Sequence, residues 1–63
     1  MELGENIRAI RKSKNLSQVG LACKLIVSNS FVCDLEKGRA TPSMKTLRKI
    51  AAALEVEVKD LFA

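Results

Sequence analysis

The sequence predicts an all-α fold of five short helices, and three observations carry that prediction. Apolar residues recur at helical spacing along nearly the whole chain. Ser17, Ser28 and Ser43 stand immediately before three of the periodic stretches, where a helix N-cap belongs. No stretch alternates as a strand does; EVEV at 55–58 alternates over four residues, too few to count.

Leu3, Ile7 and Ile10 fall at i, i+4, i+7 and predict a first helix over residues 2–13, with Glu5, Arg8 and Lys12 on other faces. Lys12 and Lys14 complement the negative end of its dipole, and Asn15 suits a left-handed stop. Ser17 caps a second helix that begins at Gln18 and ends near Leu25, its buried face made of Leu21, Ala22 and Leu25. Gly20 inside it costs about 1 kcal/mol relative to alanine. It reads either as a tolerated surface glycine or as a point of close backbone approach. Only Ile26 and Val27 separate this helix from the next, a corner that suits a steep crossing. Ser28 caps a third helix running to about Lys37, with Val32 and Leu35 inward, Phe31 at the edge and Gly38 as its stop. After the loop RATP at 39–42, Ser43 caps a fourth helix to Leu54 with Met44, Leu47, Ile50, Ala51 and Leu54 as its apolar stripe. Lys45, Arg48 and Lys49 stay in solvent. Residues 58–62 suffice for a short fifth helix, whose Leu61 and Phe62 close the core or meet a partner.

A chain of 63 residues makes one domain, spanning 1–63. A domain this small buries only about 60% of its unfolded surface, so its core is thin. Hydrophobic residues make up 48%, which excludes a disordered tail. No apolar run approaches the ~20 residues that a membrane span requires. MELGENIR has no apolar signal core, so the expected location is cytoplasmic. Lysine and arginine number 11 against 7 acidic residues, and a net charge of +4 favours anionic partners. Cys23 and Cys33 are not spaced as CxxC and there is no histidine, so no metal site is expected and reduced thiols are. No catalytic triad, paired-carboxylate pocket or phosphate-binding glycine loop is present. The chain reads as no enzyme, with no cofactor and no small-molecule ligand.

Residues 16–38, LSQVGLACKLIVSNSFVCDLEKG, organise the rest. The third helix opposes its buried face with Asn29, Ser30, Cys33, Asp34 and Lys37, small polar groups suited to a nucleic-acid groove. The stretch from LSQ through D-L-E-K-G to P-S-x-x-T-L resembles the Cro-type, lambda-repressor-like helix-turn-helix regulators. The likeness covers essentially the whole chain. It implies a compact five-helix domain with the helix-turn-helix at helices 2 and 3, and helix 3 in the DNA major groove.

On that resemblance, Ser28, Asn29, Ser30 and Asp34 are the expected base contacts. Asparagine pairs bidentately with adenine, serine donates or accepts, and a carboxylate can accept from cytosine N4. Asp34 reads equally as an i,i+3 partner of Lys37. Phe31 reads either as a contact to a thymine methyl or as an edge-of-core residue. Ser17 and Gln18, at the N-terminus of helix 2, and Lys37, Arg39 and Thr41 after helix 3 are the expected phosphate contacts. Arg11 and Glu36 match a family ion pair joining helix 1 to the end of helix 3. Three positions depart from the family pattern. Ile26 and Glu55 stand where glycine is usual, and Glu57 replaces the usual Ser or Thr cap. A β-branched residue at a positive-φ corner implies either strain or a rearranged backbone.

The expected function is a DNA-binding transcriptional regulator, a repressor that binds a pseudo-palindromic operator as a homodimer. The expected dimer surface is Val56, Val58, Leu61 and Phe62, on the apolar ending and family habit. Controller and antitoxin-type regulators of the same fold remain alternatives. So does a helical protein-interaction module that has lost DNA readout, because the outward face of helix 3 carries an acid, a thiol and no arginine.

Overall fold

The computed structural model describes residues 3–63 and contains four α-helices and one 3-10 turn. They are α1 (Leu3–Ser13), α2 (Gln18–Leu25), α3 (Asn29–Lys37), α4 (Met44–Leu54) and the C-terminal 3-10 turn (Val58–Phe62). The sequence expectation of five helices is corrected at the last element. Its five residues form tighter 3-10 turns, the usual habit of short terminal pieces. The expected start of α1 at residue 2 lies outside the described residues.

Each helix start is a local event that the sequence spells out. Ser17, Ser28 and Ser43 are the N-caps, their hydroxyls accepting from the N–H groups of Gly20, Phe31 and Thr46 at 2.9, 3.1 and 3.2 Å. Without these side chains, the Gly20 and Thr46 donors would lack a protein partner, while Phe31 N–H would keep a bond to the Ser28 carbonyl at 3.2 Å. Before the 3-10 turn, the Asp60 carboxylate instead reaches back to accept from the Glu57 N–H at 3.0 Å.

The helix ends share one geometry. Asn15, Ile26, Gly38 and Glu55 all adopt the left-handed conformation, with φ of 57, 58, 80 and 60°. After each, the next N–H reaches back to a carbonyl in the last turn: Leu16 to Arg11, Val27 to Ala22, Arg39 to Asp34, and Val56 to Ala51. This closure satisfies carbonyls that the helix cannot, and it normally favours glycine. Ile26 therefore keeps the family's corner geometry and carries the strain of a β-branched side chain there, rather than rearranging the backbone.

Ile7, Leu21, Val32, Ile50, Leu54 and Leu61 are the largest fully buried side chains, one or more from every element. α1 and α2 pack on α3, α4 packs on α2, and the 3-10 turn closes against α1 and α4. Met44 is corrected from core to surface: it is 53% exposed because it opens the first turn of α4, ahead of the packed stripe. The Asn6 side chain donates to the Leu61 carbonyl at 2.9 Å and ties α1 to the C-terminal turn.

Two glycines sit under crowded positions. A Cβ on Gly20 would lie 2.8 Å from Leu16 Cδ1, so its neighbour is the incoming loop's side chain and not another backbone. Gly4 is the true backbone contact. A Cβ there would overlap the Leu35 carbonyl oxygen and lie 2.7 Å from that of Glu36. α1 thus rests directly on the end of α3.

Two substitutions test these constraints. Ile26→Gly removes the left-handed strain from a side chain that is 90% exposed and packs little. It should raise stability by about 1 kcal/mol, seen as a melting temperature higher by about 4–8 °C. Gly4→Ala gains about 1 kcal/mol of helix propensity but forces α1 off α3, an overpacking cost of about 1–3 kcal/mol. The net change expected in thermal melting is a loss.

Candidate nucleic-acid interface

α2 and α3 meet at 112° across the corner at 26–28. The crossing leaves the N-terminal end of α3 standing clear of the core. Ser28, Asn29 and Ser30 are all exposed there, while Val32 and Leu35 anchor the helix from behind. The capping hydroxyl of Ser28 accepts from Phe31 N–H and keeps its own O–H free to donate. Phe31 is half-buried and packs against the core.

Asp34 and Cys33 are half-buried on the flank of α3. Asp34 makes no ion pair with Lys37; among the described residues the ion pairs are Arg11–Glu36 and the exposed Lys59–Glu57. Lys37, Arg39 and Thr41 are exposed after the helix. Cys23 and Cys33 are free thiols, and no group of three potential metal-ligating side chains occurs among the described residues.

Behind this face lies a buried polar cluster. Arg11 Nε donates to Glu36 Oε2 at 2.6 Å and Arg11 Nη2 to Oε1 at 3.1 Å, a bidentate pair between the end of α1 and the end of α3. Arg11 Nη1 donates to the Leu16 carbonyl at 2.7 Å. Gln18 Nε2 donates to Glu36 Oε1 at 3.0 Å. No buried side-chain nitrogen or oxygen among the described residues is left unpaired. Burial pushes the Glu36 carboxyl up, but hydrogen bonds from Arg11 and Gln18, with the charges of Arg11 and Arg8, outweigh it and hold it below the ordinary glutamate value.

The Gln18 side chain is therefore engaged inward. What α2 offers outward at its start is its backbone: the first-turn N–H groups that no intrahelical carbonyl meets. Arg8, which spacing alone puts on a solvent face of α1, joins this side of the molecule. It is exposed one turn before Arg11 and lines a cleft of about 330 Å³ with Arg11, Gln18, Glu36 and Lys37. The available signal was the Arg8–Arg11 spacing of i,i+3, which places both on one side of α1.

The expected dimer surface needs one correction. Leu61 is 0% exposed and belongs to the core, because the 3-10 turn folds it between α1 and α4. Val56 and Val58 are half-buried against the core, and Phe62 is 57% exposed.

The profile of the helix-turn-helix family matches residues 7–61. The chain belongs to that family, the Cro- and lambda-repressor-like DNA-binding transcriptional regulators. It is 45% identical over 58 residues to the immunity repressor protein of Bacillus phage phi105, covering 92% of this chain and 40% of that one. Its fold superposes with a TM-score of 0.92 on the restriction-modification controller protein C.AhdI from Aeromonas hydrophila, at 35% identity over 95% of this chain and 91% of that one. It also superposes, at a TM-score of 0.89 and 34% identity over 97% and 98% of the two chains, on SinR, a master regulator for biofilm formation in complex with DNA. The chain spans less than half the length of the phage repressor. No single helix among the described residues is long and apolar enough to cross a membrane.

Arg11→Met leaves the buried Glu36 carboxylate without its cation and should cost about 3–5 kcal/mol, read by chemical denaturation at neutral pH. The pH dependence fixes the sign. In the native chain the Glu36 pKa is depressed, so its stabilisation is present above the unfolded glutamate value, about 4.3, and is lost as pH falls through the lower folded value. In Arg11→Met, burial raises that pKa instead, so the gap between variant and native stability should narrow on acidification.

Proposed function

We propose that this chain is a sequence-specific DNA-binding repressor that acts as a homodimer on a pseudo-palindromic operator, with α3 in the major groove. The observation that carries the reading is the exposed N-terminal end of α3, set at 112° to α2, with the exposed cations Arg8, Lys37 and Arg39 gathered about the helix's other end. A major groove admits one helix, and Asn29, Ser30 and Ser28 are side chains that hydrogen-bond base edges. Asp34, half-buried and unpaired with Lys37, is free to accept from cytosine N4.

Phosphates on either side are met by Lys37, Arg39 and Thr41 after α3, by the start of α2 at Ser17 and Gln18, and by Arg8 from α1. Such contacts set register, whereas base contacts set sequence. Two copies would present their α3 helices about 34 Å apart, one turn of DNA. The exposed Phe62, with Val56 and Val58 beside it, is the surface we assign to that dimer. Likeness to a phage immunity repressor supports repression, and likeness to a restriction-modification controller supports a controller-type regulator of the same fold as the second reading.

Selection of bound sites from a random duplex pool tests the reading, and a two-fold-symmetric consensus is the expected outcome. On that consensus, Asn29→Ala should lose about 1–3 kcal/mol of discrimination at one base pair per half-site. Arg8→Ala should weaken all sequences alike and reduce the log–log salt slope by about 0.9 for each phosphate lost. Binding that ignores salt, or no enriched site, would favour a protein-interaction module instead.

A further inference from the structure

Among the described residues, the most exposed large apolar side chain also stands at a strained backbone position. Ile26 is 90% exposed at φ 58°, a position where glycine would relieve the backbone at no loss of packing. Folding does not explain an isoleucine there.

Ile26 is the ridge between two adjoining open grooves of about 480 and 580 Å³, which share Leu25, Ile26 and Lys49. The first runs toward the C-terminal half of α4, floored by Ala52 and Ala53, whose short side chains leave the depression open. The second runs along the corner past Val27 to the half-buried ring of Phe31. Volumes of this order accommodate whole side chains. Lys24 and Lys49 line the grooves against one acid, Glu55. The candidate DNA contacts Ser28 and Phe31 line only the second groove, so a partner seated on the first need not displace DNA.

We propose that the α2–α3 corner and the adjoining face of α4 form a docking surface for an acidic segment of a partner protein, which straddles Ile26 with apolar side chains. Charge selects that occupant. Two lysines against one glutamate, on a chain of net charge +4, favour an acidic ligand and oppose another basic one, including a second copy of this chain. The apolar ridge supplies the burial, and the lysines set which apolar segments are accepted. The inference stands apart from the operator reading, because it concerns a different face.

The test is a titration of the ¹⁵N-labelled 63-residue chain with a synthetic amphipathic peptide, leucines at i, i+3 and i+7 separated by Asp and Glu. Saturable shifts are expected at the amides of Ile26, Val27, Phe31 and Lys49. Ile26→Gly, which should fold at least as stably, is expected to weaken the peptide by about tenfold or more. Lys24→Glu with Lys49→Glu should weaken it comparably, while Ile26→Gly leaves DNA affinity unchanged. Equal binding of a peptide with Lys in place of the acids overturns the proposal. So do shifts confined to the start of α3, undiminished binding by Ile26→Gly, or self-association through the corner in the absence of peptide.

Discussion

The mutual orientation of α1, α2 and α3 depends on one buried ion pair. Arg11 comes from the end of α1 and Glu36 from the end of α3, and neither tolerates burial alone. Their bidentate contact aligns the two helices. The third Arg11 donor, on the Leu16 carbonyl, fixes the loop leading into α2, and Gln18 on Glu36 fixes the first residue of α2. Four segments are thereby referenced to two side chains. Against a well-packed apolar replacement such a pair is no source of net stability. Its value is geometric: it relates the start of α2 to the end of α3, the two places to which we assign phosphate contacts.

Gly4 makes that geometry possible. Arg11 reaches Glu36 because α1 lies against the carbonyls of Leu35 and Glu36, closer than any side chain would permit. The glycine at one end of α1 and the arginine at the other act on the same few residues of α3. At the opposite side of the molecule, Asn6 holds the Leu61 carbonyl and Leu61 fills the core, so the C-terminal turn braces α1 from behind.

What the sequence made legible was local or periodic. Ser17, Ser28 and Ser43 act within three residues of themselves, and the stripes of α2, α3 and α4 follow a fixed period. Tertiary placement was not legible in the same way. Leu61 and Phe62 are neighbours of similar character, and only the docking of the turn decides that the first is buried and the second exposed. Met44 fits its stripe by spacing but opens its helix beyond the packed surface. Asn6 and Leu61 are 55 positions apart, and no spacing rule links them. Of the two helical glycines, Gly20 drew attention by its position inside a strong pattern. Gly4, near a terminus, was the one in contact with another backbone. In the candidate site, the polar end of α3 could be read directly. The inward engagement of Gln18 and the cleft beside Arg8 needed the fold.

The four left-handed helix stops carry a consequence for how such domains are found. Asparagine, isoleucine, glycine and glutamate occupy geometrically equivalent places, each closed by the same backward N–H. The instruction to stop is thus held by main-chain atoms that every residue but proline possesses. A search keyed on glycine at helix ends would detect one terminus in four here. A search keyed on an apolar residue directly after the stop, as at Leu16, Val27 and Val56, would detect three.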